Sequence, residues 1–214
     1  MSFSVENFRT KLESGGGPAY GDRYHVAFNA PTGVEFEAAT YIKTEGVTNI
    51  TSRLSWLCDT INIPSRSLTT TEFRTYGLPV KRPYGSVYTE SQMEFLCTRN
   101  MGEKKFFDAW LNYIFNNNSY DIAYYDKYVT DIDIYHFDRS ASDASDLDKS
   151  TYHIKLEEAY PTLIGEVSMN HTATEVLKLP ITFTYKKYVH ADINSGDLGD
   201  RNLSKGSFVA GEIT

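Results

Sequence analysis

The residues best suited to bind a metal ion are six aspartates within one short stretch of the chain. Calcium takes several carboxylate oxygens from a single loop, so the spacing is worth testing against known patterns. The stretch lacks the glycine at the sixth position and the glutamate at the twelfth that an EF-hand loop needs. We therefore interpret it as a solvated acidic loop and predict no metal site. The six are Asp131, Asp133, Asp138, Asp143, Asp146 and Asp148.

Histidine and cysteine show no spacing that indicates a ligand set or a nucleophile. The 5 histidines are scattered singly, and Cys58 and Cys97 lie inside apolar runs. We interpret the two cysteines as small buried hydrophobic residues, with a disulfide as the minor alternative. The nucleophile elbow, phosphate loop, dinucleotide fingerprint and zinc-protease motif are all missing from the sequence. We predict that the chain is not an enzyme and binds no cofactor.

Composition and charge narrow the class of partner. The chain has 214 residues and a net charge of −7, and 14% of its residues are aromatic. No specific binding to nucleic acid is predicted, because such binding needs clustered lysine and arginine. No apolar run approaches the length of a membrane span, so no membrane contact is predicted. We expect folding in the cytoplasm, and the tyrosine and phenylalanine content favours β structure.

The first half of the chain divides into an arm, two strands and a long polar loop. Ser4 caps a short helix with Val5, Phe8 and Leu12 on one face, and glycines 15 to 17 end it. Residues 23–29 alternate as a strand, 30–50 show no period, and 53–60 are interpreted as a core strand. The stretch 65–86 contains two prolines and two glycines, which indicates a loop rather than a core element.

The second half contains the one long helix and a β-meander. A strand is predicted at 87–98 and a helix at about 101–116, with Asn100 as its cap and Glu103 completing a capping box. Further strands follow on either side of a turn at Tyr160 to Thr162. Residues 189–214 are rich in Gly, Asp, Asn and Ser, and are interpreted as a C-terminal tail.

The order of these elements resembles the tail tube proteins of contractile-tailed bacteriophages. The resemblance rests on Cys58 to Asn62 with Pro64, the long loop, FFDAWLNYI at 106–114, and AYPTLIGEVSMN followed by LPITFTYKKY. It implies a mainly β (α+β) fold of two packed antiparallel sheets, sandwich-like or barrel-like, with one flanking helix. It divides the chain into an arm (1–22), a tube-like domain (23–188) and the tail.

The resemblance also implies a function, partners and a location. Six copies would form a ring, and stacked rings would form the inner tube of a contractile tail in the virion, assembled in the host cytoplasm. Sheath, baseplate and hub proteins would be its partners, and duplex DNA would pass through the lumen without specific binding.

Two sets of site residues follow from position in the resemblance. The ring-stacking loop would contact the adjacent ring, and its basic residues would complement the acidic remainder of the chain. An acidic lumen would repel duplex DNA. The stacking residues are Arg66, Arg74, Tyr76, Lys81, Arg82 and Tyr84, and the lumen candidates are Asp131, Asp133 and Glu166.

Two alternatives stay open. The additions at 30–50 and after Tyr188 also suit a baseplate tube or tube-initiator protein at the distal end of the tail. In a different class, an adhesin could stack sugar rings on Tyr84, Tyr88 and Tyr124. Such a protein would remain a monomer or trimer and bind glycans.

Overall fold

The computed structural model describes residues 4–14, 17–33, 50–74, 76–138, 150–171 and 176–190. Most of the predicted 30–50 loop, Asp143, Asp146, Asp148 and nearly all of the tail lie outside these ranges. The helices whose full extent lies within these ranges are α1 (Val5–Ser14), α2 (Ile50–Leu57), α3 (Gly102–Ile114) and α4 (Tyr125–Tyr128). The strands are β1 (Tyr24–Phe28), β2 (Cys58–Ile61), β3 (Arg66–Phe73), β4 (Val80–Tyr88), β5 (Ser91–Leu96), β6 (Thr130–Phe137), β7 (Ser150–Ile164), β8 (Lys178–Thr184) and β9 (Lys187–His190).

Two antiparallel sheets share the long strand β7. The first sheet contains β1, β6, the beginning of β7 and β9, and the second contains the end of β7, β8, β5 and β2. The sheets pack through aromatic rings: the ring of Phe28 in the first lies 5.5 Å from that of Phe95 and 5.9 Å from that of Phe183 in the second. The predicted mainly β fold of two packed sheets is confirmed.

Strand β7 changes sheet at Glu158. This residue has a φ of 54°, a left-handed conformation that is rare for a residue other than glycine. Its backbone N–H donates to Asp131 Oδ1 at 3.1 Å, which holds the kink against β6. The predicted turn at Tyr160 to Thr162 is wrong, because β7 continues to Ile164. Pro161 lies where the register with β8 shifts, a position at which a strand tolerates proline.

Helix α3 covers the core between the sheets, as its apolar stripe predicts. Phe106, Phe107 and Trp110 are buried, and the ring of Phe107 lies 5.3 Å from that of Phe95. The indole N–H of Trp110 donates to the Tyr128 carbonyl oxygen at 2.9 Å, which fixes the short helix α4. The helix prediction at about 101–116 is therefore confirmed with slightly shorter bounds.

The start of α3 differs from the predicted capping box at Asn100. The helix begins at Gly102 after Met101, and the carboxylate of Glu103 accepts hydrogen bonds from the Thr98 N–H at 3.0 Å and from its hydroxyl. Glu103 is fully buried and pairs with Arg53 Nη2 at 3.1 Å. A buried carboxylate needs such partners, since an unpaired charge away from water is costly.

The predicted core strand at 53–60 is wrong over most of its length. Residues Ile50–Leu57 form α2, and only Cys58–Ile61 form a strand. Ile50 and Leu54 follow helical spacing and are buried together. The helical turn also places Arg53 beside Glu103, a long-range contact that the local sequence does not indicate.

The N-terminal arm forms the predicted helix. The Ser4 hydroxyl oxygen accepts a hydrogen bond from the Glu6 N–H at 3.2 Å, and Gly17 adopts a φ of 93° after the helix. No residue of α1 is buried. His136 Nε2 donates to the Tyr20 carbonyl oxygen at 2.9 Å, which attaches the segment after the arm to β6. The proposed division at residues 22 and 188 stays a prediction.

Glu103→Ala should lower the free energy of unfolding by about 2–3 kcal/mol, because Thr98 and Arg53 lose their buried charged partner. Denaturant unfolding followed by circular dichroism measures the change. Asp108→Ala, on the exposed side of the same helix, removes only a surface pair with Lys104 and should cost less than about 0.5 kcal/mol. Equal losses in the two variants would contradict the role given to Glu103.

Glu158→Gly should unfold at a higher denaturant concentration than Glu158→Ala. Both variants lose the carboxylate contact to Lys186, so the difference isolates the left-handed backbone that glycine adopts freely. The matched pair Glu157→Gly and Glu157→Ala, at a position without positive φ, should show the opposite order. If Glu158→Ala were as stable as Glu158→Gly or more stable, β7 would not be strained at Glu158.

Candidate functional site

The predicted loop at 65–86 is an exposed β-hairpin. Strands β3 and β4 pair along their whole length, from Arg66 opposite Tyr88 to Phe73 opposite Val80, and form a sheet of their own. Both faces are exposed along nearly the entire hairpin. The prediction of a loop is wrong. Gly77 and Pro79 lie in the turn, whereas Pro83 and Gly85 lie within β4, where the register with β3 shifts between Thr69 and Thr70 and the strand tolerates them.

A few contacts close the base of the hairpin and attach it to β9 and to the link between β8 and β9. The Thr89 N–H donates to the Ser65 carbonyl oxygen at 3.1 Å, and the Tyr185 hydroxyl donates to the Thr89 carbonyl oxygen at 2.6 Å. The ring of Tyr88 lies 5.2 Å from that of Tyr188. Burial, with the neighbouring tyrosines, raises the pKa of Tyr185 to about 12, so its hydroxyl stays a donor across the physiological range.

The structure places all six predicted stacking residues on this hairpin. Arg66 starts β3 with its guanidinium 5.7 Å from the ring centre of Tyr88, and Arg82 on β4 lies 5.1 Å from that of Phe73. Arg74 and Tyr76 lie in the turn, and Lys81 and Tyr84 lie on β4. All six are exposed.

The hairpin is the basic part of an acidic chain. Residues 66–88 contain four basic side chains and one acidic side chain, a net charge of +3. Since the whole chain carries −7, the remaining residues carry −10. None of the four basic residues forms a salt bridge with another residue in the described ranges, so their charge faces solvent.

The sequence analysis missed the apolar residues of the same hairpin. Tyr76 is 98% exposed and Leu78 87% exposed, and further exposed apolar side chains follow along the strands. Val87, the first residue of the strand predicted at 87–98, belongs to the hairpin, because β4 ends at Tyr88 and β5 begins only at Ser91. The three β-branched residues at 69–71 are a strand signal that could have indicated the hairpin. The other apolar residues are Leu68, Phe73, Val80 and Val87.

Asp131 and Asp133 lie together on the outer face of the first sheet. Asp131 Oδ2 accepts from Lys155 Nζ at 2.8 Å, and Asp133 Oδ1 contacts His153 Nε2 at 3.0 Å. Burial acts to raise the pKa of Asp131, but the hydrogen bonds from Lys155 and from the Glu158 N–H outweigh it and lower the pKa below its usual value. Glu166 is exposed on a different element, the segment after β7, so the structure does not join it to the pair.

Lysines neutralise much of the acidic charge on and beside this face. Glu157 Oε2 pairs with Lys187 Nζ at 3.1 Å, and Glu158 pairs with Lys186, both from the end of the meander. The face therefore alternates in sign instead of being a bare acidic surface. Sequence reasoning missed these partners because they depend on strand register.

The described residues offer little for catalysis or metal binding. Across them, no group of three or more His, Cys, Asp and Glu side chains could hold a metal ion. Cys58 and Cys97 are free thiols, but both are only partly buried, so the prediction that they are buried residues is wrong. Burial with the charge of Asp59 raises the pKa of Cys58 to about 12. Within the same ranges, no helix is both long and apolar enough to cross a membrane.

The aromatic residues suggested for sugar stacking do not form one platform. Tyr84 is 71% exposed on β4 and Tyr124 is 86% exposed beside α4. Tyr88 is partly covered at the hairpin base by Tyr185 and Tyr188. Tyr84, Tyr88 and Tyr124 therefore differ in exposure and in their neighbouring residues.

Three solved structures have the same fold. One is the sheath/tube terminator of an extracellular contractile injection system, PVC, which is 17% identical and has a TM-score of 0.53. The match covers 81% of this chain and 96% of the terminator chain. The PVC sheath-tube complex in the extended state matches at 17% identity and a TM-score of 0.50, over 88% and 98%. A chain of the anti-feeding prophage baseplate matches at 14% identity and a TM-score of 0.52, over 81% and 95%. A comparison with curated protein sequences found no match.

The family comparison agrees with the fold. The sequence model of the family described as phage tail tube protein matches residues 19–191. The matched range contains both sheets, α3 and the hairpin. This match confirms the family that the order of motifs indicates. The chain belongs to the phage tail tube protein family.

Proposed function

We propose that this chain is a structural subunit of the inner tube of a contractile tail, assembling as hexameric rings that stack. The family match over residues 19–191 carries the proposal. Similarity to a chain of a PVC sheath-tube complex supports the contractile class and a surrounding sheath as partner. The role is structural, within a phage-like particle assembled in the host cytoplasm, and duplex DNA passes through the lumen without specific binding.

The edges of the sheets support closure into a ring. Among the described strands, β1 and β2 lie at the ends of the strand order, and β9 pairs only with β7. Such edges carry unpaired N–H and C=O groups that invite pairing with another chain. A head-to-tail interface that closes on itself satisfies them without open-ended aggregation.

The hairpin is the proposed contact between successive rings. Its exposed aromatic and aliphatic side chains supply apolar area, and its net charge of +3 complements subunits that are otherwise acidic. Arg66, Arg74, Lys81 and Arg82 would fix the register, while Tyr76 and Tyr84 would pack against the adjacent ring. The apolar turn residues, Leu78 above all, extend this set.

The outer face of the first sheet is the proposed lumen surface. Asp131 and Asp133 lie on it, where Lys155 balances the charge of Asp131 and the His153 ring contacts the carboxylate of Asp133. Glu166 remains a separate lumen candidate. A position at the baseplate or at the tube end is the second candidate, favoured by the similarity to the anti-feeding prophage baseplate and to the PVC sheath/tube terminator.

The purified chain should form rings with a central hole, and light scattering should give six subunit masses per ring. Negative-stain electron microscopy of the same sample shows whether rings stack into long tubes, as expected of a main tube subunit. Rings that stay single would favour the baseplate or terminal position. A monomer or trimer that binds glycans in array screening would contradict the tube proposal.

Arg74→Glu with Arg82→Glu should leave rings intact but raise the concentration needed for stacking about tenfold or more. Opposing like charges at the ring contact destabilise it, and about 1.4 kcal/mol corresponds to a factor of ten. Sedimentation of tubes against protein concentration measures the threshold. The control Arg99→Glu with Lys127→Glu makes the same charge change at exposed positions outside the hairpin and should stack normally. Unchanged stacking in the hairpin variant would refute the contact.

A further inference from the structure

The arm helix α1 carries an apolar stripe that no other described residue covers. Val5, Phe8 and Leu12 lie on one face at helical spacing, and all three are exposed, Phe8 by 68%. The helix has 10 residues and none of them is buried. A helix this short is marginal in water unless its apolar face packs against something. The stripe therefore needs an apolar surface to pack against.

A second uncovered apolar surface lies on the link between α3 and α4. Phe115 and Ile122 pair in an antiparallel bridge, and the ring of Tyr120 lies 6.2 Å from that of Phe115. Tyr124 follows two residues after Ile122. All four side chains are exposed, Ile122 by 71%. We call these four residues the link patch.

Backbone hydrogen bonds fix the shape of the link. The Tyr120 N–H donates to the Asn116 carbonyl oxygen at 2.8 Å, and Asn116 Oδ1 accepts from the Asn118 N–H at 2.9 Å. Tyr120 adopts a φ of 60°, a left-handed conformation that costs free energy in a residue with a side chain. A hydrogen-bonded turn that holds aromatic side chains in solvent at such a cost is typical of a binding surface.

The arm and the link patch are attached at opposite ends of β6. The segment after the arm is held where His136 Nε2 donates to the Tyr20 carbonyl oxygen. The link leads through α4 to Thr130, the first residue of β6. Six residues of strand, about 20 Å, separate His136 from Thr130. Two surfaces at opposite ends of a subunit meet when copies associate head to tail.

The charges beside the two surfaces are complementary. Helical spacing places Arg9 on one side of the stripe and Lys11 on the other, and Arg9 pairs with Glu13 within the helix. Asp121 lies in the link patch, between Tyr120 and Ile122. Lys11 and Asp121 form no salt bridge with another residue in the described part of the chain. Asp126 and Lys127, next to each other on α4, offset each other.

We propose that α1 of one copy docks its apolar stripe on the link patch of the adjacent copy. Phe8, at the centre of the stripe, packs beside Tyr120 and Ile122, and Lys11 faces Asp121, which fixes the orientation of the helix. The proposal rests on the proposed function, because it supposes that copies of the chain assemble. A single contact of this size is weak, but a closed ring repeats it in every subunit, so that the contacts reinforce one another.

Mixed cysteine variants test the contact. A chain with Leu12→Cys is mixed with a tagged, longer chain with Ile122→Cys under mild oxidation, at the protein concentration of the ring assay. A disulfide needs close approach of the two backbones, and mixing restricts it to a contact between copies. On a non-reducing gel, the mixed dimer should be at least about fivefold more abundant than with Met169→Cys as the partner. Met169 is an equally exposed apolar residue outside the link patch.

A second pair of variants tests the stripe itself. Phe8→Ser, added to the Leu12→Cys chain, should reduce the mixed dimer to the level of the Met169→Cys control, because it removes the centre of the stripe. Asn7→Ser, on the opposite face of α1, should leave the yield unchanged. Neither substitution touches the core, since no residue of α1 is buried.

Two results would overturn the proposal: a mixed dimer no more abundant than the control, or equal yields from the Phe8→Ser and Asn7→Ser chains. Electron microscopy of the same samples separates this outcome from the proposed function. Rings without the mixed dimer would remove the arm contact and leave the tube subunit standing. A mixed dimer without rings would keep the arm contact and contradict the ring.

Discussion

Strand β7 has to pair with β6 and β9 along its first part and with β8 along its last part, in sheets that face each other across the core. A straight strand of this length cannot serve both sheets, so the backbone turns at Glu158. The kink depends on Asp131, whose carboxylate accepts the freed N–H while Lys155 balances its charge. The bend sets the positions of the core residues on β8 and β5. Strand β8 pairs with the part of β7 beyond the bend, and β5 pairs in turn with β8.

The bend also explains how the hairpin and the meander come to lie together. Beyond Thr184, the chain makes a matching break at Tyr185 and Lys186 and then continues beside β7 as β9. Tyr185 falls at this break, so its side chain can reach across to Thr89 at the hairpin base. The break opposite the bend in β7 thus places Tyr185 where it contacts the base of the exposed basic hairpin.

The sequence was a good guide where apolar spacing alone decides the structure. The stripe of Phe106, Phe107 and Trp110 predicts α3, and alternation predicts β1, β6 and β8. The sequence was a poor guide where contacts between distant parts of the chain decide the structure. The segment around Leu54 has a short apolar run that suits a strand or a helix equally, and the buried partner Glu103 belongs to another part of the chain. Basic residues of the hairpin could be identified from position in the family, whereas Lys155 and Lys187 opposite the acids required the register.

The charged face of the first sheet alternates in sign over the distance between neighbouring strands, about 5 Å. Fields from such closely spaced opposite charges cancel within a few ångströms, well inside the screening distance of physiological salt, about 8 Å. Water bound to this face is held by local dipoles, while a large charged body at a greater distance experiences a nearly neutral wall. Such a face would neither attract nor repel a large charged body strongly at any ordinary ionic strength. A charged body moving along the face would therefore meet only small electrostatic barriers.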